Sequence, residues 1–386
     1  MQRLLLGIYG FAFFNKFLLL TPVYAVFMLQ NGIGDTLLSA MFFISAAATV
    51  LGQVPITYMT NRFGARFAMI FAQILKAVAV IMWLLMPGYF GFIFGMILWG
   101  VQSGFRNVAF EGLVYDRVSA AHHTRDYTRI LGRKATYESV GVALSAFGSL
   151  LMFMGYDWVT WASVASIALS VLSLLIIPGN ASCTSVSGVG LRKMFRNGLR
   201  ACTRRACMMP IMLLALLVVN IPYLDDFLSP IALQLGIPTE YVGVVPFFLL
   251  LCATLGQRFA YKFSRIPDII LYSAIGVAGI LYMLFAYWYS PYSLWLLGVA
   301  YVLIWGVYTL TYSRFQHMIP RRHRSVVLSL FTTLTYLVYM LVCVVIGAGA
   351  AMGSWRYGIF ALGLAVVGVC VWAMLYVRKK CPCDMG

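Results

Sequence analysis

The sequence predicts an all-α polytopic membrane protein of twelve transmembrane helices, built as two six-helix bundles related as parallel repeats, with both termini in the cytoplasm. Three observations predict it: an apolar composition, a succession of span-length apolar segments, and basic residues confined to alternate connections. Of 386 residues, 62% are apolar and 10% are charged, and the mean hydropathy is +0.89. A soluble chain has about 25% charged residues, and a surface this poor in charge needs lipid as its main solvent.

A membrane-crossing helix takes about 20 mainly apolar residues at about 1.5 Å each. Such segments fall at roughly 4–29, 37–59, 67–87, 89–116, 131–155, 157–178, 208–234, 239–261, 268–289, 291–317, 325–350 and 355–377. The first has Arg3 ahead of its apolar run, but no small-residue cleavage site followed by polar chain, so it is expected to be retained. The formal net charge is +17, and the cations gather at Arg3, at Arg62 and Arg66, from Arg117 to Lys134, and from Arg192 to Arg205. They recur at Arg258, Lys262 and Arg265, from Arg314 to Arg324, and from Arg378 to Lys380. The opposite connections hold Asp35, Asp157 and Glu240, with Arg356 as their one cation. This is the positive-inside pattern; it places the termini and explains the basic balance without a nucleic-acid partner. The expected location is multi-pass in a bacterial inner membrane or a plasma membrane.

Of eight cysteines, Cys183, Cys202, Cys207, Cys381 and Cys383 fall in expected cytoplasmic segments and the others within helices, so no disulfide is expected. Cys381 and Cys383 flank Pro382 in the tail, where a plain reduced pair is preferred over a metal or lipid role.

The longest polar stretch divides the chain into a first bundle (1–178), a basic cytoplasmic linker (179–207), a second bundle (208–378) and a tail (379–386). The halves echo one another. Leu51-Gly52-Gln53 recurs as Leu255-Gly256-Gln257, and Gln30, Gly32 and Ile33 recur as Gln234, Gly236 and Ile237, both at a shift of 204. Trp99-Gly100-Val101 recurs as Trp305-Gly306-Val307 at a shift of 206. Several matches in one order at nearly one offset indicate duplication. Duplicated bundles with a site between them are the architecture of secondary transporters.

Local motifs carry a resemblance to a known family. Between segments 2 and 3 the chain reads Thr57, then Asn61-Arg62-Phe63-Gly64-Ala65-Arg66-Phe67. This resembles the G-x-x-x-D-R-x-G-R-[RK] signature of the major facilitator superfamily at Arg62, Gly64 and Arg66, with Thr57 and Asn61 in place of its glycine and acid. Glu111-Gly112-Leu113-Val114-Tyr115-Asp116 resembles an E-[AG]-L-x-Y-D run of one broad branch, and Asp225-Asp226-Phe227-Leu228-Ser229-Pro230 resembles that branch's D-E-[YF]-x-x-P. Segment 5 has Gly141 to Gly148 without the Gly-Pro of the family's drug/proton antiporters. The resemblance implies a carrier that works by alternating access, without a bound cofactor or metal and functional as a monomer.

Ionisable groups inside spans are costly and mark sites by default. Lys16 sits about 18 Å into segment 1, too deep for its stem to reach water, and shares a face with Tyr9 and Leu20. It reads either as an anion site or as half of an ion pair to a neighbouring helix. In segment 4, Trp99, Gln102 and Arg106 share a face, while Asn107, Glu111 and Tyr115 lie on another, about 140° away. Arg106 is the candidate for solute contact. Glu111 reads as a proton carrier or as a gate partner of Arg62 or Arg133. Lys76, with Gln73 one turn away, favours a structural pairing. Gln53 and Gln257 occupy matched positions, either on solute or between helices. Asn220, Tyr223 and Asp226 form a stripe in segment 7, which favours Asp226 over Asp225 as a proton-coupling carboxylate. Asp116, Arg133, Glu138, Arg62, Gly64 and Arg66 cluster at the inner ends as a candidate cytoplasmic gate. Pro22, Pro55, Pro222, Pro230 and Pro246 are break points within spans.

Other classes fit less well. Gly32-Ile33-Gly34-Asp35 with Tyr115-Asp116 imitates an intramembrane aspartyl protease, but the expected topology puts the two aspartates on opposite sides. His122, His123, His317 and His323 lie at cytoplasmic connections, and no P-loop occurs. No filter sequence suggests a channel. The expected function is therefore not enzymatic. It is secondary transport of a small organic solute, anionic or zwitterionic, with protons as coupling ion and export of a metabolite or drug as the leading direction. Uptake of an anionic nutrient or a metal chelate of siderophore type stays open, as does a non-transporting solute sensor.

Overall fold

The structure, a computed structural model, describes residues 2–120, 127–177, 196, 199, 202, 207–260, 262, 267–319 and 324–377. The described residues are helical and contain no strand. Among them, ten helical segments are long and apolar enough to cross a membrane. The first expected span is instead two helices, α1 (Gln2–Lys16) and α2 (Tyr24–Gln30), with turns between them. The fourth belongs to α5 (Tyr89–Ala120), whose apolar part is the shorter run Tyr89–Phe105. Between these lie α3 (Asp35–Phe63) and α4 (Ala65–Leu85). The first half ends with α6 (Tyr127–Ser145), the short α7 (Phe147–Leu150) and α8 (Tyr156–Ile176). The second half comprises α9 (Met208–Asn220), α10 (Leu228–Gln234), α11 (Val244–Ala260), α12 (Asp268–Trp288), α13 (Leu294–Met318), α14 (Arg324–Ala351) and α15 (Trp355–Trp372).

Two compact units result. The first takes in residues 1–34, 44–190 and 238–244, and the second 35–43, 191–237 and 245–386. In the first unit α1 packs on α6 and α8, and α4 on α5 and α8. The contact of α1 with α8 is made by small residues. Ser163, Ser166, Ser170 and Ser173 line one buried face of α8, and Cβ atoms added at Gly7 or Gly10 would strike Ser173 or its carbonyl within 3 Å. Lipid is as apolar as leucine, so close approach and hydrogen bonding, rather than hydrophobic exclusion, must hold such helices together. Leu4, Ile8, Phe11, Met69, Phe105 and Leu174 close an apolar core at one end of this unit.

In the second unit α12 packs on α13 and α15, and α9 on α13 and α14. The spans broken by proline are matched between repeats. α9 stops at Asn220 ahead of Pro222 and the chain resumes as α10, as α1 stops at Lys16 and resumes as α2 after Pro22. Proline has no N–H and its ring crowds the carbonyl four residues before it, so neither span continues as one regular helix through Pro22 or Pro222. Both seven-residue helices end alike. Gly32 (φ 86°) and Gly236 (φ 82°) take the left-handed conformation. Ile33 N–H then bonds Met28 O at 3.1 Å, and Ile237 N–H bonds Ala232 O at 3.0 Å, the Schellman ending that favours glycine.

α12 and α15 cross at Gly279 and Gly363, where a Cβ on either glycine would lie 2.8 Å from the other's carbonyl oxygen. Gly363→Leu should therefore cost about 1–3 kcal/mol by overpacking. Gly368→Leu, with nothing within 4 Å of its added Cβ, should be silent. Melting of the two variants in detergent checks this; equal melting temperatures would remove the crossing as a stability element.

Candidate functional site

The break after α9 builds a polar site within the second unit. Interrupting the helix frees backbone groups that a membrane interior leaves without water, so each needs a partner. The freed carbonyl of Pro222 accepts from the Tyr282 hydroxyl at 2.7 Å. The following turn presents two carboxylates in succession. Tyr301 donates to Asp225 Oδ1 at 3.1 Å, and Tyr339 donates to Asp226 Oδ2 at 2.5 Å. Tyr223 packs edge-on against Tyr339, with ring centroids 5.4 Å apart. Val219, Pro222, Tyr223, Asp225, Tyr282, Tyr301, Ile304 and Trp305 line a small, partly open recess of about 10 Å³, room for about one water. Asp225 is exposed and Asp226 half-buried. The arrangement offers negative charge, hydroxyl groups and aromatic faces, the chemistry that receives an ammonium group or a proton.

Sequence reasoning named Tyr223, Asp225 and Asp226, which the structure brings together. Asn220 stands apart in chemistry: its Nδ2 bonds back to Leu216 O of its own helix at 2.7 Å. The sequence reading missed the aromatic wall. Tyr301, Trp305, Tyr308, Tyr312 and Phe315 recur along α13 at i, i+4, i+7, i+11 and i+14, a single face of a helix. Tyr308 stacks on Tyr312 at 5.2 Å, and Trp305 meets Tyr308 at 5.5 Å. That spacing was the signal that could have found them.

In the first unit a polar centre forms around Lys76. Lys76 is 3% exposed, and its Nζ donates to Asn15 O at 2.7 Å and Asn15 Oδ1 at 2.8 Å. Gln73 Nε2 donates to the same Oδ1 at 3.2 Å, and Ser170 Oγ donates to Gln73 Oε1 at 3.0 Å. The ammonium also lies 5.6 Å from the Trp99 ring centroid. Asn15 is one residue from the end of α1, so Lys76 caps a carbonyl that the break leaves open, where the helix dipole favours a cation. The missing backbone acceptor for Leu20 N–H is supplied by Ser163 Oγ at 2.9 Å. Lys16, half-buried, is the last residue of α1. Tyr9 stacks on Tyr137 at 5.0 Å, and its buried hydroxyl has no hydrogen-bond partner among the described residues. Gln102 is buried and bonds the adjacent Ser103 Oγ at 3.0 Å. Gln53 is buried whereas Gln257, its repeat mate, is exposed, so their equal sequence positions differ in environment.

Among the gate residues, Gly64 takes φ 87° between α3 and α4, a conformation that explains glycine there. Arg66 Nη2 donates to Leu175 O at 2.7 Å at the end of α8, while exposed Arg62 stacks over its neighbour Phe63 at 5.4 Å. Arg133 is exposed. Glu138 pairs with Lys134 at 3.5 Å. The side chains of Arg106, Glu111 and Asp116 lie outside the described residues. An ion pair the sequence reading did not anticipate joins Asp268, at the start of α12, to Arg314 near the end of α13 at 2.8 Å.

Comparisons with known proteins agree with this architecture. Residues 5–342 match the profile described as Major Facilitator Superfamily. No curated protein matches the sequence. Among solved structures, the nucleoside transporter NupG is 14% identical, over 96% of this chain and 98% of its own, with a TM-score of 0.73. A D-xylose–proton symporter is 12% identical, over 99% and 97%, with a TM-score of 0.73. A POT family transporter in complex with 5-aminolevulinic acid is 14% identical, over 98% and 95%, with a TM-score of 0.66.

The Lys76–Asn15 contact gives a direct test of the first unit's polar centre. In a double-mutant cycle with Lys76→Met and Asn15→Leu, the coupling energy should be about 1.5–3 kcal/mol, as for a hydrogen bond to a charged group. Unfolding in detergent measures it, and additive effects would remove the Lys76–Asn15 side-chain hydrogen bond as a stabilising contact.

Proposed function

The chain belongs to the major facilitator superfamily, and from that premise we propose that it is a proton-coupled secondary active transporter of a small organic solute. The solute is anionic or zwitterionic, the two helical repeats alternate access to it, and net export of a metabolite or drug is the leading direction. The observation that carries the reading is the carboxylate pair at the break after α9, each member held by a tyrosine, with Asp225 bordering an aromatic recess. Of the two solute classes, this chemistry favours the zwitterion. An ammonium end has Asp225 and the tyrosine faces to meet, and Asp226 is left to take and release the coupling proton. A solute's acidic end would need the cations expected in the first repeat, Lys16 and Arg106. The fold neighbours carry nucleosides, D-xylose or, in one complex, the zwitterion 5-aminolevulinic acid, so the scaffold accommodates polar solutes of this size.

The coupling assignment predicts a separation of two activities in liposomes. Asp226→Asn should abolish accumulation against a gradient while solute counterflow continues, because exchange needs no net proton movement. Continued accumulation would rule out Asp226 as the coupling group. Tyr301→Phe should raise the half-saturating solute concentration roughly tenfold or more, the worth of one hydrogen bond to a charged group. Lys16→Ala and Arg106→Ala should weaken transport of solutes carrying an anionic end and leave cations unaffected. Solutes of defined charge, screened first by thermal stabilisation of the purified protein, supply the substrates.

A further inference from the structure

The ends of the two short helices carry a set of contacts that the solute site does not use. Gln30, the last residue of α2, donates through Nε2 to Thr239 Oγ1 at 3.4 Å and accepts from the Tyr156 hydroxyl at 2.7 Å. Gln234, the last residue of α10, donates to Asp35 and accepts from the Tyr289 hydroxyl at 2.9 Å. These pairs are related by the internal repeat. Gln30 and Gln234 are separated by the repeat shift of 204, and so are Asp35 and Thr239. Each glutamine therefore reaches the start of the second span of the opposite repeat, and the two reaches mirror one another.

The packing repeats the exchange. Residues 35–43 belong to the compact unit formed mostly by the second repeat, and 238–244 to the unit formed mostly by the first. Ser39 lies against Gly347, whose added Cβ would sit 3.1 Å from Ser39 Cβ. At the matching place, a Cβ on Gly243 would sit 2.4 Å from Ser149 Oγ and 2.7 Å from Ala146 O. A third observation comes from the backbone. Tyr289 is the one non-glycine with positive φ (22°) among the described residues, a conformation that a bulky side chain adopts only when its surroundings impose it.

We propose that Gln30–Thr239 and Gln234–Asp35 are the two arms of a latch that holds together the span ends assigned to the outside, and that both arms break whenever the carrier opens outward. The proposal rests on the alternating-access reading for its place in a cycle. Its arms suit that use. Both glutamines are exposed, so each arm shifts the equilibrium by only roughly two- to tenfold, enough together to bias one state without trapping it.

The test uses Ser39→Cys as reporter, since Ser39 is 1% exposed in the closed arrangement and cysteine is nearly isosteric with it. In intact vesicles, an impermeant maleimide added outside should label this cysteine about two- to tenfold faster when Gln234→Ala or Gln30→Ala is present. Tyr289→Phe, which keeps ring and backbone, should act in the same direction and guards against a misfolded alanine variant. Gly243→Leu should act more strongly, as a wedge. Unchanged labelling in all four overturns the latch. Separately, Gln30→Cys with Thr239→Cys, joined by a short reversible bis-methanethiosulfonate, should stop solute counterflow until reductant is added. Undiminished counterflow in the linked protein overturns it equally. A chain that moves no solute in any form, yet shows accelerated labelling, would sink the transporter reading and leave the latch standing.

Discussion

The requirement that every backbone polar group find a partner inside a bilayer organises this molecule. Each repeat opens with a broken span, and each break exposes donors and acceptors that lipid cannot satisfy. The repeats answer differently. In the first, Lys76 caps the Asn15 carbonyl and Ser163 receives the Leu20 amide. In the second, Tyr282 caps the Pro222 carbonyl, and the turn it secures carries Asp225 into a recess and Asp226 against Tyr339. A duplicated scaffold has thus acquired a cation at one break and carboxylates at the other. The sign of charge differs because the residues recruited to the break differ, while the backbone geometry is shared.

Close packing by small residues follows from the same setting. With no hydrophobic gain from leaving lipid, helices gain from contact and hydrogen bonding. The serine face of α8 does both. Its hydroxyls bond Phe14 O at 2.9 Å and Gln73 Oε1 at 3.0 Å, while Gly7 and Gly10 let α1 approach. The serines that bring the helices together therefore also complete the network around Lys76. Removing bulk from α8 is what allows its polar groups to reach the break.

Much of this was legible in the sequence, for physical reasons. Apolar length and the alternation of cations are properties of the bilayer boundary and need no tertiary knowledge, so the membrane class was readable directly. The carboxylates of the seventh segment were readable because acids are rare at that depth. Lys76 was read as a structural partner, but its acceptor, Asn15, is neutral and carries no charge signal. Lys16 was placed near the middle of a continuous span. It is instead the last residue of α1, ahead of the break that contains Pro22. The aromatic face of α13 was hidden for another reason: in a span rich in apolar residues, Tyr301, Trp305 and Tyr308 read as lipid-facing or core positions until the break at Pro222 shows what they surround. Gln30 and Gln234 were seen as a repeat match, yet a match gives identity and not reach. Only the fold shows that each crosses to the other repeat.

Burial separates the polar contacts that must persist from those that can be exchanged. Lys76 and Asn15 are 3% and 2% exposed, and a hydrogen bond from a charged group there is worth about 1.5–3 kcal/mol and leaves an orphaned charge when lost. Gln30 and Gln234 are exposed, water replaces their partners on opening, and the net worth of each falls to about 0.5–1.5 kcal/mol. A carrier needs states within a few kcal/mol of one another, or the ligand's differential affinity cannot move it between them. Strong contacts therefore belong inside each compact unit, around the helix breaks. Weak ones belong at span ends, where they are made and lost. The strained backbone at Tyr289 fits this division, since strain at a reversible contact offsets part of its hydrogen bonding and keeps the closed state from becoming a trap.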